Sequence, residues 1–239
     1  MTSKRNNNKK NTQNKKNIEI SITSLPPKIL VRRIILGVAF IILIFAIVSI
    51  TSKCRMDRLN SEVPGLPSFM TAEMVRAALK EQAKNPNNWT SVSLAQIIIE
   101  SGFGNYGPGG ETGNGLSQLA YEYKNLYGIK GTGPEGTIDF RTGEQTLEGE
   151  RYEITAGFRV YSSYTQCIED RTKVLSNTQY YDLSLGTTPE AFVENVLYGT
   201  WATSLSYNSS LLAVMSEFNL YRFDTMSVKE FDEEIKNNN

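Results

Sequence analysis

The sequence has 239 residues, with 25 Lys and Arg against 25 Asp and Glu, two cysteines and no histidine. Ser-His and Cys-His nucleophilic pairs are thereby excluded, and two cysteines cannot build a zinc or copper site. No metal ligands and no cofactor are expected, so carboxylates, hydroxyls and phenols must carry any chemistry.

The charge balance hides an asymmetry. Residues 1–33 hold nine basic side chains against Glu19, a net of +8, which leaves −8 for the remainder. This stretch includes NNNKKNTQNKKN and cannot bury a core, so 1–33 is expected to be a disordered basic cytoplasmic tail. No aromatic side chains accompany the charge, which points to attraction to anionic lipid rather than to nucleic acid.

Ile34 to Ile50 carries no charge over seventeen residues, roughly 26 Å of helix at about 1.5 Å per residue. Thr51 and Ser52 bring it close to the ~30 Å hydrocarbon core, so 34–52 is expected to be a transmembrane helix. The apolar region of a cleaved signal peptide is shorter, about 7–15 residues, and ends in a small-x-small site. Here the run ends Thr51-Ser52-Lys53-Cys54. Arg32 and Arg33 flank its start, which predicts a cytoplasmic N-terminus, a single pass through the cell membrane, and residues from 55 onward outside.

Residues 53–67 are polar and contain prolines, as in a linker. Residues 68–224 are enough for one domain with a core, and 225–239 is an acidic stretch expected to fray. Within the domain, Met74, Val75, Ala78 and Leu79 recur at helical spacing after Thr71. Thr90 or Ser91 is expected to cap a helix, VSLAQIIIE, that is apolar nearly all round and so buried. Residues 164–176 read as a helix with Ile168, Val174 and Leu175 inward. Thr188-Pro189-Glu190 is a helix start, and a further helix carries Leu211, Leu212, Met215 and Phe218. Ile154, Ala156, Phe158 and Val160 alternate with polar or small residues, which is the period of a strand. Thr137–Leu147 can pair with it through a turn at 148–150. The predicted fold class is α+β, mainly α, with one small β-hairpin lobe.

Glu100 closes the most apolar helix, directly after Ile97, Ile98 and Ile99. Gly102 is suited to a left-handed cap behind it. A buried unpaired carboxyl has a raised pKa, and a protonated acid is what cleavage of a glycosidic bond requires. A solvent-facing carboxylate at a helix end is the plain alternative.

Five blocks occur in order: SLAQIIIESGFG, LSQLAYEYKNLYGIKG, ITAGFRVYSSY, YGTWATSLSY and FNLYRFD. Together they resemble the glucosaminidase domains of glycoside hydrolase family 73, lysozyme-like cell-wall hydrolases, and the lysozyme-like part of cell-wall hydrolases of conjugative elements. The resemblance covers nearly all of 68–224. It implies that Glu100 is the general acid and that Asn125 to Lys130 shapes the cleft floor. It also implies a second acid in the β-lobe, at Thr142-Gly143-Glu144 or Thr146-Leu147-Glu148. Glu144 is preferred, because it leaves room for a full hairpin and shares parity with Ile138 and Phe140. Tyr207 matches a tyrosine that lines the family's site, although Ser204-Leu205 replaces the usual Asp-Pro before it. Asn125, Tyr123, Tyr127 and Trp201 are expected substrate-binding residues, and Tyr121 is a further candidate for the cleft wall. The glycine-rich stretch 102–115 is expected to be a flexible rim of the groove. Cys167 reads as a small core residue.

The resemblance implies a membrane-anchored peptidoglycan hydrolase that cleaves β-1,4 bonds after N-acetylglucosamine. Its expected partners are glycan strands and the membrane, with other envelope or conjugation machinery left open. Two readings compete. Gly115-Leu116-Ser117-Gln118 resembles a block of lytic transglycosylases, which, like muramidases, cut the same glycan elsewhere. A non-catalytic peptidoglycan-binding scaffold of an envelope-spanning apparatus is the other.

Overall fold

The computed structural model describes residues 27–59, 61–145, 151–202 and 206–238. The chain divides into two units, 1–53 and 54–239. Of the first unit the described part belongs to one helix, α1 (Pro27–Leu59), with Pro27 at its opening turn. Residues 35–53 of α1 are exposed, and by length and composition they are enough to cross a membrane. The helix begins before and ends after the expected 34–52 span. Residues 27–33, assigned to the tail, and 53–59, assigned to the linker, are therefore helical, since no breaker interrupts them.

In the second unit the helices are α2 (Ala72–Lys84), α3 (Thr90–Ser101), α4 (Gln118–Tyr123), α5 (Tyr164–Leu175), α6 (Pro189–Phe192), α7 (Tyr207–Glu217) and α8 (Val228–Asn237). The strands are β1 (Gly102–Gly104), β2 (Gly115–Leu116), β3 (Thr137–Gln145) and β4 (Arg151–Arg159). A π-helical turn, Val193–Leu197, prolongs α6. The domain is mainly helical with two small antiparallel sheets.

The apolar helix α3 is central, packed against α2, α7 and the 3₁₀ turn Leu220–Phe223. Its buried ends need partners for their backbone groups. The expected caps, Thr90 and Ser91, instead lie in its first turn, and the capping comes from distant segments. Gln82 Oε1 accepts from Thr90 N at 2.8 Å, and Asp224 Oδ1 accepts from Ser91 N at 2.8 Å. At the other end Gly102 is extended, with φ −79°, and is not a left-handed cap. The left-handed residue is Phe103, with φ 59°. Gly102 is required for space: a Cβ there would lie 2.5 Å from Ile98 O and from the Phe69 ring.

The glycine-rich stretch is not a loose rim. β1 and β2 pair around a 3₁₀ turn at Gly110–Thr112, and a Cβ on Gly104 would fall 2.1 Å from Leu116 O. The β3–β4 hairpin pairs from Thr137↔Arg159 to Gln145↔Arg151 without a shift, and its register runs straight through Gly143↔Glu153. The expected turn at 148–150 lies outside the described residues.

The acidic stretch from 225, expected to fray, is helix α8. Ser227 and Glu230 form a reciprocal cap, and Phe231 and Ile235, one turn apart, are buried. Its charges masked that narrow apolar stripe. The Phe231 ring meets Phe223 at 6.2 Å and lies under the Arg76 guanidinium at 5.7 Å. Phe231→Ala should cost about 3–5 kcal/mol in urea unfolding of the full chain in detergent. A loss below about 1 kcal/mol would mean that α8 is not part of the core.

Candidate active site

Glu100 stands at the last turn of α3, beside a groove of about 1090 Å³. One wall is the end of α3 with Trp201, Ala202 and the start of α7 at Ser206, Tyr207 and Ser210. Ser117, Gln118 and Leu119 border it, and Tyr127 to Lys130 form the floor. The opposite wall is the hairpin, through Phe140 to Gly143 and Phe158.

The floor is held by buried polar contacts. Asn125 donates its side-chain amide to Ile129 O and Arg159 O, both at 2.9 Å, and accepts from Ile129 N at 3.0 Å. This ties the floor turn to the end of β4. Tyr127 Oη and Ser93 Oγ are 2.8 Å apart, which fixes the floor to α3. Ser101 Oγ donates to Leu126 O at 2.6 Å, so the residue after Glu100 grips the same turn.

Glu100 is exposed to the groove on one side and surrounded by protein on the other. Desolvation of its carboxyl on the protein side pushes the pKa up, while hydrogen bonds from Tyr207 and from the Trp201 side chain pull it down; burial prevails. Tyr207 Oη donates to Glu100 Oε1 at 2.9 Å and accepts from Gln96 Nε2 at 3.0 Å. Gln96 Oε1 in turn accepts from Arg171 Nε at 2.7 Å, and Arg171 Nη1 donates to Asn88 Oδ1 at 2.7 Å. Arg171 is 1% exposed and stacks over the rings of Tyr127 and Trp201, at 5.4 and 5.9 Å. Among the described residues no carboxylate pairs with it, and desolvation lowers its pKa.

The structure brings Glu100, Tyr127, Trp201 and Tyr207 to one groove. Asn125 is a correction: expected to bind substrate, it is wholly buried with its amide engaged by backbone, so it shapes the floor without reaching a ligand. Tyr123 packs edge-on against Phe140 at 5.7 Å, and neither it nor the exposed Tyr121 is among the residues that line the groove. Position 144 pairs with Tyr152 on the unbroken β3 register, two residues beyond groove-lining Thr142. Glu148 lies outside the described residues, as do Ser204 and Leu205. Cys167 is a buried free thiol whose pKa burial pushes up to about 12. Sequence reasoning missed Gln96 and Arg171. Each left a signal: a polar residue four before Glu100 on an apolar helix, and a cation at the helical spacing of Ile168 and Leu175.

A carboxyl at the end of a buried helix, facing a groove closed by a β-hairpin, defines a lysozyme-like domain. The family model described as mannosyl-glycoprotein endo-β-N-acetylglucosaminidase matches residues 75–220, and the chain belongs to this glucosaminidase family. It is 34% identical over 163 residues to a probable N-acetylmuramidase of Lactococcus lactis subsp. cremoris, covering 65% of this chain and 35% of that protein. It is 28% identical over 151 residues to the exo-glucosaminidase LytG of Bacillus subtilis, covering 59% of this chain and 49% of that one. The chain thus spans about a third to a half of these relatives' length. The catalytic domain of the autolysin Auto of Listeria monocytogenes superposes with a TM-score of 0.52 at 25% identity, over 73% of this chain and 96% of that one.

The raised pKa of Glu100 has a sign that stability can report. Above that pKa the ionised carboxyl weakens the fold, and the penalty disappears as pH falls through it toward the unfolded value. Glu100→Gln should therefore melt higher than the parent at pH 8, with the gap narrowing as pH drops to about 4. A gap that is constant or widens toward acid would contradict a raised pKa.

Proposed function

We propose that this chain is a membrane-anchored peptidoglycan hydrolase, an endo-β-N-acetylglucosaminidase with Glu100 as its general acid. The observation that carries this reading is a carboxyl whose pKa is pushed up by desolvation, at hydrogen-bond distance from Tyr207, on the wall of a groove of about 1090 Å³. Family membership supports the bond class, and the relatives named as probable N-acetylmuramidase and exo-glucosaminidase support a wall glycan as substrate.

Glu100 gives its proton to the glycosidic oxygen as the bond to the anomeric carbon breaks. Tyr207 holds the carboxyl in place and stabilises the carboxylate left behind. Glu144 is the second acid, acting from the hairpin on the opposite sugar face. The place of position 144 on β3, next to the groove-lining run Phe140 to Gly143, supports this together with the second-acid pattern of the resemblance. Trp201, half-buried on the wall, offers a flat apolar face for a sugar ring.

Glu100→Gln should lower turnover of purified wall by about 10²–10⁴ with the fold intact. Glu144→Gln should also lose turnover and keep wall binding. Near-normal turnover of either variant would remove that residue from the mechanism. Mass spectrometry of released sugars tests the bond: this reading expects a reducing N-acetylglucosamine end. The Lactococcus relative's description as a probable N-acetylmuramidase favours a second reading, under which the reducing end would be N-acetylmuramic acid.

The anchoring reading rests on the apolar stretch of α1 and on the basic residues before it. Protease added to intact wall-stripped cells should remove the chain beyond about residue 60. Full protection would reverse the topology.

A further inference from the structure

The hydrogen bonds behind Glu100 have a direction, and one residue sets it. A guanidinium can only donate. Arg171 Nε therefore forces the Gln96 oxygen to face it, at 2.7 Å. That places the Gln96 NH₂ against Tyr207 Oη at 3.0 Å, so the phenol oxygen is occupied as an acceptor. The phenol hydrogen then has Glu100 Oε1 as its acceptor, at 2.9 Å. Each link is buried or half-buried, where a reversed dipole is costly.

We infer that Arg171 is a positioning residue for the acid: through Gln96 it fixes the Tyr207 hydroxyl so that Glu100's proton is kept off Tyr207 and rests on the second carboxyl oxygen. This rests on the reading of Glu100 as general acid. Without the amide hydrogen from Gln96, Tyr207 Oη becomes an acceptor for the neutral carboxyl. The acid proton would then be held in the protein wall instead of on the oxygen free for the glycosidic bond. Arg171 can play this part because no carboxylate competes for it among the described residues. Its Nη1 is anchored on Asn88, and its faces rest on Tyr127 and Trp201. The other titratable or charged groups lining the groove are Tyr127, Tyr181, Lys130 and Arg141. Tyr127 is bonded to Ser93 and Arg141 to Glu153, and neither enters the chain.

The test is a double-mutant cycle on the full chain in detergent. Gln96→Met cuts the chain without altering any charge, so a shift cannot come from a lost field. It should raise the pKa of Glu100, read as the pH above which the melting gap against the matching Glu100→Gln variant stops widening. It should also lower kcat on purified wall about tenfold, the worth of one ordinary hydrogen bond, with KM unchanged. In a Tyr207→Phe background Gln96→Met should do neither, because the acceptor is gone. Arg171→Met should behave as Gln96→Met does. If it fails to fold, Gln96→Met alone carries the prediction. An equal shift with and without Tyr207, or no shift at all, would overturn the proposal and leave Arg171 a packing residue. Full activity of Glu100→Gln would remove the acid assignment instead. The melting titration would still report whether Gln96 sets the direction of the Tyr207 hydroxyl.

Discussion

A guanidinium sits inside this domain with amide oxygens and aromatic faces where a carboxylate is usual. Removing such a cation from water costs several kcal/mol unless its donors and its charge are met. Arg171 meets most of them: Nε donates to Gln96 on α3, Nη1 to Asn88 before α3, and the guanidinium lies over Tyr127 from the groove floor and Trp201 from the groove wall, while Nη2 is buried without a hydrogen-bond partner. Three parts of the chain distant in sequence are held to one charge. Displacing any of them leaves a buried cation short of partners, so the wall, the floor and the helix bearing Glu100 are kept in one arrangement.

Glu100 stands under two opposed influences. The apolar helix beneath it disfavours its charge, and the Tyr207 and Trp201 hydrogen bonds favour it. The proposed role of general acid calls for a carboxyl that is protonated on arrival and stable when spent. Burial serves the first need and the two donors serve the second.

Much of this was legible in local pattern. A helix apolar on every side had to be central, so a carboxyl at its end had to be explained. Period-two alternation gave the hairpin, and its register confirms that Gly143 does not break the strand. What failed locally failed for physical reasons. The cap of α3 comes from Gln82 and Asp224, and no inspection of residues 89–91 can show a partner that far along the chain. Asn125 lies in the block read as shaping the cleft floor and was also expected to bind substrate, yet in its buried place both amide hydrogens and the amide oxygen are engaged by backbone. Gly102 was read for its torsion and matters for its missing Cβ. Arg171 reads as one more surface cation until the fold turns it inward.

The entry to the domain is built differently from its groove. Ala72 N bonds Ser61 O at 3.0 Å, Glu62 bridges Thr71, and Arg222 Nη2 clasps Pro64 O at 2.6 Å while its Nη1 holds Glu234 on α8. Under the proposed anchoring, a chain fixed in a membrane at one end and gripping an insoluble polymer at the other works under tension. That tension reaches the domain at residues 61–64 and passes into α2 and α8, whose own link is the Arg76–Asp232 pair. None of these contacts involves the end of α3, the floor turn or the start of α7. A stretched tether would therefore load this clasp directly and reach the acid only through the packing of α2 on α3.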